Sequence, residues 1–111
     1  MGVTKTDLFT KEQNEIALIA KVLGHPARIA IIQYLVKANR CINGELVEEL
    51  GLAQATISQH LKELKSVGLI QGTIEGTSVS YCINAAKWEE VSGMMSALFS
   101  NFSTSCGSDC C

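Results

Sequence analysis

Apolar residues recur at helical spacing over most of the chain, switch once to strict alternation, and then return to helical spacing. Thr10 to Gln13 has the form of a capping box, in which a threonine hydroxyl and a glutamine side chain satisfy the first free amides of a helix. Ile16, Ile19, Ala20 and Leu23 follow at i, i+3, i+4 and i+7, which predicts a first helix ending at Gly24. Pro26 suits the first turn of a second helix, whose predicted inner face is Ile29, Ile32, Leu35 and Val36. Asn43 is the expected N-cap of a short third helix with Leu46, Val47 and Leu50 inside and Gly51 at its end. A fourth helix begins near Gln54, carries Ile57, Leu61 and Leu64 as its inner stripe, and closes at Gly68.

Beyond Gly68 the period changes to two. Leu69, Ile70 and Ile74 lead to a turn at Glu75-Gly76, after which Val79, Tyr81 and Ile83 alternate with Ser78, Ser80 and Cys82. That pattern predicts a hairpin with one buried face. A last helix is expected from about Ala86 to Phe102, with an apolar stripe of Trp88, Val91, Met95, Leu98, Phe99 and Phe102. The domain between the outer helices is already complete, so this stripe is expected to pair with a second copy of the chain. Met94 and Met95 are read as packing residues, since methionine fills irregular gaps.

Two short helices joined by a tight, glycine-containing turn and followed by a hairpin have the order of a winged helix-turn-helix. The expected fold is therefore mainly α with a small β-hairpin: about five helices plus a two-stranded wing, dimeric. At 100° per residue, a fourth helix with Ile57, Leu61 and Leu64 inward turns Ala55, Gln59, Lys62 and Ser66 outward, with Thr56 and Ser58 on the flanks. Glutamine, serine and threonine can bond base edges, and lysine can neutralise phosphate. A merely solvated helix face would look the same on the wheel.

The net charge of −2 runs mildly against a nucleic-acid partner. Its distribution changes the picture. Between Ile16 and Ile42 the charged residues are Lys21, Arg28, Lys37 and Arg40, all basic, whereas acids gather at Glu45, Glu48, Glu49, Glu89 and Glu90. The wing tip carries Glu75 and no arginine, so a poor phosphate-binding wing is expected. With 47% hydrophobic and 18% charged residues the chain is of globular type. No apolar run approaches the ~20 residues of a membrane span, and no secretory signal pattern is present, so no membrane partner and a cytoplasmic location are expected. Paired carboxylates, a nucleophile–base set and a phosphate loop are all missing from the pattern, so an enzyme is not expected.

The residues that carry a resemblance are Leu23 to Ile29 (LGHPARI) and Gly44 to Ile70 (GELVEELGLAQATISQHLKELKSVGLI). They are similar to the ArsR/SmtB family of metal- and metalloid-responsive repressors, over about Ile16 to Val91. The resemblance implies a dimeric winged-helix repressor that leaves an inverted-repeat operator in double-stranded DNA when an inducer binds. By the same resemblance Gln54, Thr56, Ser58, Gln59 and His60 line the DNA-facing helix, joined by Lys62 from the wheel. His25 and His60 lie in family-typical segments and read as structural or DNA-proximal rather than as metal ligands. Three departures matter. Ala53 stands where a serine is common. Ile42-Asn43-Gly44 occupies the place of a Cys-X-Cys pair found in some relatives, with Cys41 just before it. The last helix has neither His nor Asp, so the zinc site of other relatives is missing.

Cysteine bears on the inducer. Five cysteines are an odd count that does not suggest a disulfide framework. Cys106, Cys110 and Cys111 cluster at the end without a histidine, and three sulfurs suit a soft ion such as arsenite, antimonite, cadmium or lead. The expected organisation is 1–103 as the DNA-binding and dimerisation domain and 104–111 as a flexible Cys-rich tail that binds the inducer, with no constitutive cofactor. Cys41 and Cys82 read as ordinary unpaired cysteines. A redox or persulfide switch formed by the two is the alternative, and a winged-helix interaction module without DNA binding is a further one.

Overall fold

A computed structural model describes residues 8–43, 46–75 and 78–102. The elements are α1 (Lys11–Leu23), α2 (Pro26–Ala38), α3 (Leu46–Leu50), α4 (Gln54–Ser66), β1 (Ile70–Glu75), β2 (Ser78–Ile83) and α5 (Ala85–Ser100). The order is that of a winged helix-turn-helix. Among the described residues no helix is long and apolar enough to cross a membrane.

The helix ends follow the chemistry of their sequences. Thr10 Oγ1 accepts from the Gln13 amide at 3.0 Å and Gln13 Oε1 accepts from the Thr10 amide at 3.0 Å, completing the capping box. His25 caps α2 by accepting from the Ala27 amide through Nδ1 at 3.1 Å, with Pro26 in the first turn. Asn84 caps α5. The expected turn at Glu75-Gly76 and the approach from Asn43 into α3 fall partly outside the described residues.

The C-terminus of α4 closes in a Schellman arrangement. Gly68 sits at φ +83°, its amide donates to the Lys65 carbonyl at 2.9 Å, and the Leu69 amide donates to the Leu64 carbonyl at 3.2 Å. Leu64 and Leu69 are both buried, which supplies the apolar contact that usually accompanies the motif. The chain therefore leaves α4 in a fixed direction and enters β1.

One core joins all of these elements. Ile19 and Val22 of α1, Ile31, Ile32 and Leu35 of α2, Ile42 and Leu69 of the connections, Leu46 of α3, Ile57, Leu61 and Leu64 of α4, Ile70 of β1, Tyr81 of β2 and Val91 of α5 form a single cluster. The predicted inner face of α2 needs correction. Ile29 is 40% exposed and Val36 51% exposed, while Ile31 is buried. Apolar residues run around most of this helix, so periodicity alone left its rotation open. Ala20 of α1 is likewise exposed, and Val22 takes the inner place.

β1 and β2 pair antiparallel with Ile70 opposite Ile83 and Gly72 opposite Tyr81. On its other edge β2 meets Ile42, which exchanges two backbone bonds with Tyr81, at 2.9 and 3.1 Å. The segment between α2 and α3 thus acts as a short third strand, and the wing is tied to the helix-turn-helix by backbone as well as by core. Gly72 makes the hairpin possible at its most crowded point. It sits at φ +135°, and a Cβ there would lie 2.0 Å from the Ser80 carbonyl oxygen. Gly72→Ala is expected to lower stability by ~2 kcal/mol or more through both backbone strain and this clash. Urea unfolding checks it, and a midpoint unchanged from the parent would contradict the hairpin geometry.

Candidate nucleic-acid interface

α4 is held by one face and open on the other. Ile57, Leu61 and Leu64 are at most 1% exposed, whereas Ala55, Thr56, Gln59, Lys62, Lys65 and Ser66 are exposed. The rotation follows from burial: once the apolar stripe enters the core, the 3.6-residue period turns the polar residues outward. Ala53 at the N-cap makes no side-chain bond to the first turn, consistent with its lack of a hydroxyl. The four residues expected to face outward, Ala55, Gln59, Lys62 and Ser66, are all exposed, and so is Thr56, expected on the flank; Ser58, the other flank residue, is half-buried.

Two others are partly engaged within the helix. Gln54 Nε2 donates to Ser58 Oγ at 3.1 Å, and both side chains are half-buried. The Ser58 hydroxyl proton remains available to an outside acceptor. Gln59 Nε2 donates to Glu63 Oε2 at 3.4 Å, a long bond that a base edge could replace.

His60 lies elsewhere. It is 8% exposed, and its Nδ1 accepts from Arg28 Nε at 3.1 Å. Its ring packs against His25 with centroids 4.5 Å apart. Arg28 also donates through Nη1 to the Val22 carbonyl at 3.1 Å. One guanidinium therefore ties the end of α1 and the start of α2 to the middle of α4. His60 holds α4 from behind, as an anchor. Sequence reasoning did not find Arg28 in this role, because its partner is 32 positions away. Lys65 is a second tether: its Nζ donates to the Gly72 carbonyl at 2.6 Å and links α4 to the wing.

α1 also packs against α5. Lys87 pairs with Glu15 and, at 3.7 Å, with Glu90. The Lys87 bond holds the Glu15 carboxyl below the usual carboxylate range and holds Lys87 above the usual amine range. Leu8, Phe9 and Leu18 near α1, and Leu98, Phe99 and Phe102 at the end of α5, are all more than half exposed.

Cys41 and Cys82 are joined as a disulfide, with Cα atoms 4.2 Å apart. This corrects the expectation that each is an ordinary unpaired cysteine. The reason is the register: Ile42 opposite Tyr81 places Cys41 opposite Cys82, and no local pattern announces a pairing across 41 positions. Among the described residues no group of three or more His, Cys, Asp or Glu side chains could hold a metal ion. The expected ligands Cys106, Cys110 and Cys111 lie outside the described residues.

Comparison with known proteins adds four findings. The profile of the bacterial regulatory protein, arsR family, matches residues 25–71, which is α2 to the start of β1. The chain is 30% identical over 102 residues to the biofilm growth-associated repressor of Xylella fastidiosa strain Temecula1, covering 92% of this chain and 85% of that protein. It is 41% identical over 63 residues to the HTH-type transcriptional repressor SmtB of Mycobacterium tuberculosis strain H37Rv, covering 57% of this chain and 46% of that one. In fold it is similar to HlyU from Vibrio cholerae, with a TM-score of 0.63, 24% identity, and coverage of 82% of this chain and 98% of that one.

The anchor makes a pH prediction. Burial pushes the His60 imidazole below its ordinary value, and the neighbouring His25 and Arg28 push the same way, against a smaller opposing pull from Glu63. The folded protein therefore resists a proton that the unfolded chain accepts. Stability from this site is complete above the ordinary histidine value of about 6.5 and is lost as pH falls below it toward the depressed folded value. His60→Asn keeps an acceptor for Arg28 and cannot titrate. Urea midpoints are expected to fall on acidification more steeply in the parent than in this variant; equal slopes would contradict the role given to His60.

Proposed function

Because the chain belongs to the ArsR/SmtB family of transcriptional regulators, we propose that it is a homodimeric repressor that grips an inverted-repeat operator through α4 and leaves it when a thiophilic inducer binds. The observation that carries this reading is the outward face of α4, polar and basic, fixed by a buried apolar stripe and backed by the Arg28–His60 anchor. Its DNA contacts are assigned to Thr56, Ser58, Gln59 and Lys62, with Gln54 holding Ser58 and His60 acting from within. A cytoplasmic location suits such a regulator.

The dimer is supported by the apolar residues that α1 and α5 leave uncovered. Leu98 and Phe99 in the last turn of α5, and Phe102 just beyond it, are 51%, 75% and 66% exposed. A patch of this kind on a soluble chain marks an interaction surface. A two-fold pair would set its reading helices about one DNA turn apart, roughly 34–36 Å.

In a gel shift on an operator selected from a duplex pool, Ser58→Ala or Gln59→Ala is expected to lower specific affinity by roughly 1–3 kcal/mol. Lys62→Ala should weaken specific and nonspecific binding together and reduce the salt slope by about one. Leu98→Glu with Phe99→Glu should convert a two-chain species to monomers in sedimentation and weaken operator binding. Parent-like footprints in all the α4 variants, or a parent that sediments as one chain, would contradict the assignment.

The inducer is assigned to the thiolates of Cys106, Cys110 and Cys111, with arsenite or antimonite as its chemical type. Their support is composition: three soft donors in six residues with no nitrogen donor among them. An inducer works through its differential affinity for two states, and coupling of ~1–3 kcal/mol suffices for a switch. Changing all three to serine should leave operator binding intact and abolish release by arsenite. Release by the same arsenite concentration as the parent would move the sensor elsewhere. A thiol-redox regulator is the second reading, and the Cys41–Cys82 pair favours it.

A further inference from the structure

We propose that Cys41 and Cys82 form a reversible thiol–disulfide exchange site, reached from a surface cleft by small-molecule disulfides and thiols, that covalently closes the DNA-reading unit. It deepens the second reading above, but its chemistry does not depend on DNA binding.

The pairing is written into the backbone. Ile42 and Tyr81 exchange both of their backbone bonds, so their neighbours Cys41 and Cys82 are a non-hydrogen-bonded cross-strand pair. Such pairs bring Cα atoms to about 4.5 Å with side chains on one face of the strands. Ile42 and Tyr81 are buried on the opposite face, which leaves the two sulfurs directed away from the core. Cys41 is exposed and Cys82 half-buried.

Both line a cleft of about 380 Å³, together with Val36, Arg40, Trp88 and Glu89. Arg40 Nη1 donates to the Cys41 carbonyl at 3.2 Å, which keeps a guanidinium beside the exposed cysteine. Cys41 is the more exposed of the two sulfur-bearing residues and so the more open to an incoming disulfide. Trp88 offers the cleft an apolar wall, and its volume admits a small disulfide such as that of a peptide thiol.

The steps balance. In the reduced protein the Cys41 thiolate attacks one sulfur of the small disulfide, whose S–S bond breaks and releases one small thiolate. The Cys82 thiolate then attacks Cys41 Sγ in the mixed disulfide, forming the Cys41–Cys82 bond and releasing the second small thiolate. The two cysteines lose two electrons, the small disulfide gains them, and the two thiol protons end on the released thiols. Excess small thiol drives the sequence backwards.

The closed loop has a specific content. Between Cys41 and Cys82 lie α3, α4 and β1, the whole reading unit with the first strand of its wing. Closing it limits the open states of that unit, whereas reduction leaves it to core packing and the noncovalent ties made by Ile42, Arg28 and Lys65.

The test uses full-length protein with Cys106, Cys110 and Cys111 changed to serine, so that only Cys41 and Cys82 remain. Reduced protein is treated with glutathione disulfide and followed by intact and peptide mass spectrometry. The expected result is conversion to a form lacking two hydrogens, with the Cys41–Cys82 peptide linked, reversed by excess glutathione. Adding Cys82→Ser should trap the glutathione adduct on Cys41, and it should form faster than the adduct on Cys82 in the Cys41→Ser counterpart. The melting midpoint is expected to rise by about 8 °C or more on oxidation. Two thiols that stay free, a mixed disulfide that never closes, faster capture at Cys82, or equal midpoints in the two states would each overturn the proposal. Operator binding is measured separately, so a failed exchange and a failed DNA reading are distinguishable.

Discussion

Burial of Ile57, Leu61 and Leu64 fixes the rotation of α4, and the rest of the molecule is arranged around that constraint. Each of these side chains contributes on the order of 1.5–3 kcal/mol when fully removed from water. Three of them together match a large share of the ~5–15 kcal/mol by which small domains are stable. Turning the helix by even one residue would exchange part of that stripe for polar groups without partners. The outward residues therefore face solvent because the inward ones cannot leave the core.

Polar contacts refine what burial sets. Arg28 reaches from α2 to His60 and to the carbonyl of Val22, so α1, α2 and α4 meet at one guanidinium. Lys65 reaches from the last turn of α4 to the wing, and the Schellman ending sends the chain into β1. Ile42 joins the other edge of the wing to the start of the helix-turn-helix. α4 is thus held at its middle, at its end and through its neighbours, which is what the proposed groove-matching surface requires. Acidic residues elsewhere in the chain do not oppose this, since charge acts locally at this range of screening.

Much of this was legible from residue order. The capping box at Thr10, Pro26 after Gly24, the α4 stripe and the switch to alternation after Gly68 placed the elements, because each is a local signal. The outward positions of Gln59 and Lys62, with Thr56 on the flank, followed from the same periodicity. What escaped was non-local or degenerate. α2 is apolar around most of its circumference, so Ile29 and Val36 looked inward while Ile31 took the core. His60 was grouped with the DNA-facing residues, yet its ring is engaged by Arg28 and His25. The pairing of Cys41 with Cys82 stood only as the alternative reading, because the register that joins them depends on a single bridge between Ile42 and Tyr81.

The central claim is that the outward face of α4 is the surface that meets DNA. It is tested most directly by titrating isotopically labelled protein with its operator and following each residue's nuclear magnetic resonance signals. The account predicts that signals of Thr56, Gln59 and Lys62 shift first and furthest, with Ile57 and Leu61 little changed. Shifts centred on another surface, with α4 silent, would contradict it.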